Sequence, residues 1–176
     1  IEALRRTTRD EPDYDVLMRG RLALLAEHGL TMSTIADVIA GLAPMEGAKA
    51  FLDGLRARTQ VVILSDTFEQ FAAPLMRQLG MPAILCHQLV VLDDRIVDYA
   101  LRLPDQKRAA VKRFHELNFS VIAAGDSYND TSMLGEADAG ILFRPPAKVI
   151  AEFPQYPVVT DYAGLRDAFE QADEAL

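Results

Sequence analysis

Val121-Ile122-Ala123-Ala124-Gly125-Asp126-Ser127-Tyr128-Asn129-Asp130 decides the fold: an apolar run ends in a polar segment that carries two carboxylates four residues apart. The run reads as a buried strand and the segment after it as the entry to a helix. In open α/β sheets ligands collect outside the carboxyl ends of the strands, so acids placed there face a crevice. A hard cation suits them. Mg2+ takes oxygen ligands in near-octahedral geometry, commonly one or two carboxylates, with water and substrate phosphate completing the shell. Asp126 is the candidate direct ligand. Asp130, one helical turn on, is either a second ligand or a hydrogen-bond anchor for metal-bound water. The competing reading makes Asp126 a helix cap and leaves Asp130 in solvent.

Working outward, the chain alternates strands with helices. Leu17, Met18 and Leu25 share one face of a helix that stops near His28-Gly29. Ile35, Val38, Ile39 and Leu42 repeat at helical spacing, with Ser33 or Thr34 as the expected cap and Pro44 as the stop. Residues 1–43 therefore read as an all-helical unit and residues 44–176 as the α/β core. Ala48, Phe51, Leu52 and Leu55 mark a helix, and Val61-Val62-Ile63-Leu64 a strand of the kind buried in parallel sheets. A helical stripe from Phe68 to Leu79 follows, stopped by Gly80 and Pro82. Leu89 to Leu92 and Ile96 to Leu101 flank Asp93-Asp94-Arg95 as a hairpin at the sheet edge. A helix from about Asp105 to Leu117, the strand ending at Ala124, a helix through Met133-Leu134 and a strand from Ala139 to Phe143 continue the alternation. Val158-Val159 and a helix through Leu165, Phe169 and Ala172 close it. This order predicts a doubly wound, mostly parallel α/β sheet of Rossmann-like type with right-handed crossovers.

Composition narrows the function classes. The 176 residues, half of them hydrophobic, are enough for one core of ordinary size. Eighteen basic residues against 26 acidic ones give a net charge of -8 and no basic stripe, which argues against nucleic acid as a partner. No run of about 20 apolar residues marks a membrane span, and nothing resembles a signal peptide. The single Cys86 rules out an internal disulfide and reads as a small core residue. The expected compartment is the cytoplasm. The oligomeric state is left open, a homodimer included.

Three further sites bear on phosphate. Ser65-Asp66-Thr67 follows the strand Val61 to Leu64, where hydroxyls and backbone N–H groups beside a helix N-terminus favour an anion. Ser65 or Thr67 acting only as a helix cap is the alternative. Lys107 opens the helix after Pro104-Asp105-Gln106, where its ammonium can serve as a point charge on phosphate oxygens or be mere surface. Arg21 lies inside the apolar stripe of the first helix. A guanidinium there either snorkels to water or meets an anion such as a carboxylate, which its planar fork matches.

These residues carry a family resemblance. Val62 to Thr67, the lysine of Gln106-Lys107-Arg108, and Ala123 to Asp130 resemble the second, third and fourth motifs of the haloacid dehalogenase superfamily, in order. Within it the chain resembles the phosphoserine phosphatases, and most closely the bifunctional phosphoserine phosphatase/homoserine phosphotransferase subgroup. The similarity includes Thr7-Thr8-Arg9-Asp10 and Pro12 to Met18. The resemblance implies a Mg2+-dependent phosphatase of a phosphorylated small amino acid, with phosphotransfer to homoserine as a second outcome. By the same resemblance residues 1–43 form a helical cap that closes over the site. Arg21 would grip the substrate carboxylate, Ser65 and Asp66 would hold the phosphoryl group and Lys107 would neutralise it. Asn129 would orient the substrate, and Asp126 would ligate Mg2+ with Asp130 in support.

One departure accompanies the resemblance. Members of the superfamily attack phosphate with an aspartate in an Asp-x-Asp/Glu-Gly segment at the tip of the first strand, ahead of the cap, and these residues contain no such segment. Asp66 is a poor substitute, because Thr67-Phe68 stands where a second acid and glycine belong. The expectation is a core lacking its first strand, with unpaired backbone groups between that strand's neighbours and little turnover. A catalytically inactive phosphate-binding relative and a receiver-like binding module are the alternatives from other classes.

Overall fold

The structure, a computed structural model, describes residues 13–176. Thr7 to Asp10 and Pro12, part of the stretch on which the resemblance rests, lie outside the described residues. Two helices come first, α1 (Tyr14–Glu27) and α2 (Met32–Ala40). The core follows as α3 (Ala48–Arg56), β1 (Val62–Phe68), α4 (Glu69–Gln78), β2 (Ala83–Leu92), β3 (Arg95–Ala100), α5 (Gln106–Glu116) and β4 (Ile122–Gly125). A 3-10 turn (Tyr128–Asp130), α6 (Thr131–Glu136), β5 (Ala139–Phe143), α7 (Ala147–Glu152), β6 (Val158–Val159) and α8 (Tyr162–Ala175) complete it.

The strands form two three-stranded sheets, in the orders β1-β2-β3 and β4-β5-β6, rather than one continuous sheet. β1 and β2 are parallel, as are β4, β5 and β6, and only β3 runs antiparallel. Parallel pairing with helical crossovers is the α/β architecture expected from the alternation. β1 and β4 face a common slot of about 540 Å³, lined by Val62 and Leu64 from one sheet and Ile122 and Ala124 from the other. Phe51 and Phe169 line it from the α3–α8 side and Val111 and Phe114 from α5.

β2 belongs to two pairings. Its first half, Ala83 to Leu85, lies parallel to Val62 to Leu64, and from Gln88 onward it pairs antiparallel with β3. The hairpin turn is the two residues Asp93 and Asp94, both at positive φ (47° and 62°), which is the twist a right-handed hairpin wants. Arg95, expected in the turn, begins β3 instead.

The helical unit docks on this hairpin through Met18, Leu22, Phe68, Leu89 and Ile96, all buried. The Met32 N–H donates to the Asp94 carbonyl (2.8 Å), and Ser33 donates its N–H and hydroxyl to Asp94 Oδ1 (2.9 and 2.7 Å). The cap of α2 is therefore Thr31, whose side chain accepts the Thr34 N–H, and not Ser33 or Thr34. Ser33 is diverted to the hairpin. The α2 stripe is only partly covered: Ile35 and Ile39 are half-buried while Val38 is 70% exposed.

Two other expectations change. β1 continues through Ser65-Asp66-Thr67 to Phe68, although its register with β2 breaks between Leu64 and Phe68. The chain stays extended past the last regular pair because Phe68 must reach the hairpin core. After β5, Pro145-Pro146 leads into a helix that the expected alternation does not contain. Pro146 caps α7, a helix the apolar pattern did not announce, since a proline suits the first turn where no N–H is needed.

Candidate active site

The carboxyl ends of β1 and β4 and the first turn of α5 bring Asp66, Lys107, Asn129 and Asp130 together. Lys107 Nζ donates to Asp130 Oδ1 at 2.7 Å and lies 3.2 Å from Asp66 Oδ2. Asn129 Nδ2 donates to the same Asp66 oxygen at 2.7 Å. Gln106 Nε2 donates to Asp66 Oδ1 (3.1 Å) and to the Ser65 carbonyl. Lys107 is 7% exposed and Asp130 6% exposed, so this is a desolvated ammonium between two carboxylates. Lys107 is not a surface lysine.

Local sequence explains the loop after β4. Ser127 is the helix cap, and Asp130 returns the bond in a capping box. Asp130 Oδ2 accepts the N–H groups of Asp126 and Ser127 (3.0 and 3.1 Å). Asp126 is therefore not the cap, and Asp130 is not in solvent. Asp130 tucks against the strand only because residue 125 has no side chain: an added Cβ there falls 2.4 Å from Asp130 Cβ. Gly125→Ala should cost about 1–3 kcal/mol through forced backbone displacement. A lowered thermal midpoint and loss of the Asp126 and Ser127 amide protection in hydrogen exchange check this.

The charges shape one another. Burial pushes the Asp66 and Asp130 carboxyls up, but the Lys107 ammonium and the surrounding donors outweigh it and hold both below the usual carboxylate value. Burial likewise pulls Lys107 down, and the Asp130 hydrogen bond and the two carboxylate charges reverse that to a net rise. Asp126 goes the other way. Partial burial raises it first, and Asp130 beside it raises it further.

The pH dependence follows. Stability from Asp66 and Asp130 is present above the ordinary carboxylate value of 3.8 and is lost as pH falls through their lower folded values. Stability from Lys107 is present below 10.5 and is lost as pH rises through its higher folded value. Asp126 opposes the first trend, because protonation relieves its strain against Asp130. Thermal midpoints measured across pH should therefore drop steeply below about 3.8 and again above 10.5.

Asp126 is exposed at the end of β4, and its carboxyl has two causes to reject a negative charge, partial burial and the neighbouring Asp130. A dication relieves both, and a carboxylate pair with open space for water and phosphate suits Mg2+. Both oxygens of Asp130 are already engaged, by Lys107 on one side and by loop donors on the other, so this conformation favours its anchoring role over direct ligation. Among the described residues no cluster of three acidic, histidine or cysteine side chains gathers around a metal position.

Ser65 and Arg21 are placed less directly. The Ser65 hydroxyl accepts the Thr67 N–H at 3.3 Å. Neither residue caps α4, which starts after Phe68 with no side-chain cap. Arg21 is half-buried on α1, with Nη1 3.8 Å from Met18 Sδ. Its tie to the site is Tyr14. Burial raises the Tyr14 phenol, Asp66 raises it further and Arg21 lowers it, so the Tyr14 hydroxyl lies within electrostatic reach of both Asp66 and Arg21.

A sequence model of the haloacid dehalogenase-like hydrolases matches residues 3–138. The chain belongs to that family. A phosphoserine phosphatase of Pseudomonas syringae pv. tomato is 59% identical over 173 residues, covering 98% of this chain and 73% of the relative. The phosphoserine phosphatase ThrH of Pseudomonas aeruginosa is 60% identical over the same length, covering 98% of this chain and 84% of the relative. The crystal structure of phosphoserine phosphatase from T. onnurineus superposes with a TM-score of 0.72 at 24% identity, over 94% of this chain and 78% of that one. That likeness establishes a haloacid dehalogenase-like fold. The hydrolase family assignment agrees with the three motifs at Val62 to Thr67, Lys107 and Ala123 to Asp130.

Sequence reasoning missed Tyr14, His87, Asp105, Gln106 and Ser127. Gln106 was in view only as the residue before the lysine, and its 4% exposure has no local signal. Asp105 caps α5 at φ 43°, held by Ser132, whose hydroxyl donates to Asp105 Oδ1 at 2.8 Å. A non-glycine residue at positive φ beside the site lysine is strained backbone, held here by the first turn of α6.

Proposed function

We propose that this chain forms the phosphate-handling body of a Mg2+-dependent phosphatase of a phosphorylated small amino acid, O-phosphoserine first among them. The observation that carries the proposal is the buried Lys107 ammonium held by Asp66 and Asp130 at the carboxyl ends of two parallel strands. Arg21 and Tyr14 on α1 would meet the substrate carboxylate and amine. Asn129 and the Ser65 turn would fix the phosphoryl group, with Lys107 offsetting its charge. Asp126 would hold Mg2+, with Asp130 fixing the loop. The metal, when bound, supplies charge that favours phosphate and a developing oxyanion.

The attacking carboxylate belongs, in this reading, to a strand that fills the slot between β1 and β4. Such a strand would pair with both edges and end beside Asp66 and Asp126. It joins residues 44–176 into one sheet, with residues 13–43 as cap. Attack there yields an aspartyl-phosphate, and water, or an acceptor alcohol such as homoserine, takes the phosphoryl group. Asp66 does not serve as nucleophile, because three side chains already engage its oxygens.

Phosphate release from O-phosphoserine tests the proposal, in a chain extended ahead of residue 1 by an apolar strand ending in Asp-x-Asp-Gly. Mg2+-dependent release that disappears when the first of those aspartates becomes asparagine is the expected result. Tight, Mg2+-dependent binding with no release in either form would instead favour an inactive phosphate-binding relative.

A further inference from the structure

Four polar or charged side chains are buried among the described residues: His87, Gln106, Lys107 and Asp130. The last three are accounted for by the site. His87, on β2 opposite Phe68 of β1, is 5% exposed and has had no role so far.

Its ring is fixed from every side. Nδ1 accepts the backbone N–H of Arg102 at 3.2 Å, and Arg102 Nε donates to the Cys86 carbonyl at 2.9 Å, so the segment leading into α5 is pinned to β2. A ring nitrogen that accepts carries no proton, which in the neutral ring leaves the proton on Nε2. Nε2 faces Asp66 Oδ1 at 3.8 Å, an electrostatic contact at this distance and one that shortens readily when a site closes on its ligand. The Tyr14 ring packs edge-on at 6.3 Å and the Phe68 ring at 6.0 Å, which fixes the imidazole plane.

The neutral form is the one this pocket favours. Burial lowers the His87 value most; Asp66 opposes, while Arg102 and Lys107 lower it further. A second ring proton would also point Nδ1–H at the Arg102 N–H, donor against donor. The folded value therefore lies below the ordinary 6.5, and the stability this ring contributes is present above 6.5 and declines as pH falls beneath it.

We propose that His87 is a positioning residue: its Nε2–H, set by the Arg102 backbone, orients the Asp66 carboxylate and through it the Lys107 ammonium and the Asn129 amide. Asp66 Oδ2 takes Asn129 and Lys107, and Oδ1 takes Gln106 with His87 behind it, so the carboxylate plane is held at both ends. Removing the imidazole donor leaves Oδ1 with Gln106 alone. The consequence for substrate rests on the functional reading above; the orientation of Asp66 does not.

The test uses the chain as it stands. Long-range 1H–15N correlation of the His87 ring at neutral pH should show the Nε2–H tautomer. His87→Phe keeps the ring packing and deletes the donor. It should shift the Asn129 side-chain amide resonances and weaken calorimetric O-phosphoserine binding with Mg2+ about tenfold, the size of a hydrogen bond to a charged group that the contact becomes once the site closes on its ligand. His87→Gln, whose amide nitrogen reaches the place of Nε2, should return both to near the parent values. An Nδ1–H tautomer, a Phe variant with parent-like Asn129 resonances, or Phe and Gln variants equally displaced would each overturn the proposal. If His87→Phe does not fold, His87→Asn takes its place, since its amide oxygen accepts from Arg102 while its nitrogen falls short of Asp66. Failure of the parent to bind O-phosphoserine would overturn the functional reading instead, with the tautomer and the Asn129 resonances still deciding the role of His87.

Discussion

Lys107→Met should abolish phosphate binding and unsettle the fold at once. The ammonium is buried between Asp66 and Asp130, and deleting one partner of a buried ion pair costs about 3–5 kcal/mol, because the remaining charges stay desolvated. Here two carboxylates are left facing each other. Both should then titrate above their ordinary value, where in the parent they titrate below it. The variant should consequently gain stability relative to the parent as pH falls from 7 toward 5, a range in which the parent loses only the His87 contribution. Binding of O-phosphoserine by calorimetry should fall by about a hundredfold or more, the scale of a lost buried charge pair. Lys107→Arg should not rescue it, since a planar fork does not fit a place shaped for a compact ammonium. A Met variant with parent-like affinity and an unchanged acid profile would remove the central support of the proposed function.

Asp126→Asn should separate binding from stability. The carboxyl is raised by partial burial and by Asp130, so its ionised form is held against its own preference. Neutralising it removes that repulsion, and the metal-free protein should melt higher than the parent at neutral pH. The same change deletes the candidate Mg2+ ligand. Mg2+ should then raise the thermal midpoint of the parent and leave that of the variant unmoved, because a ligand stabilises only the state that binds it. Opposite signs for the two effects are typical of a residue kept for chemistry rather than for the fold. A variant that melts lower than the parent, or one that Mg2+ still stabilises, would refute the assignment of Asp126.

The strands were legible because β4 and β5 carry short apolar runs, and the hairpin because the runs Leu89 to Leu92 and Ile96 to Leu101 flank the polar break at Asp93-Asp94-Arg95. Asp126 and Asp130 were legible as carboxylates just past the apolar run of β4, Lys107 as the cation opening the helix after Pro104-Asp105-Gln106, and Asn129 only through the motif that its loop resembles. What escaped reading depends on distant contacts. Thr31 caps α2 because Asp94, 61 residues beyond Ser33, claims the Ser33 donors. Gln106 and His87 look like ordinary polar residues in sequence, and only the folded chain buries them around Asp66. Tyr14 joins the site because α1 leans on the hairpin, a contact that no local periodicity encodes.

The dual pairing of β2 has an evolutionary corollary. Side chains along a strand alternate faces, so one inserted or deleted residue between Gln88 and Leu89 would turn Leu89 outward and break its packing with Met18 and Leu22. Packing therefore constrains the length of this segment: a single indel there would detach the helical unit from the hairpin, while the exposed stretch between α2 and α3 can change length without that penalty.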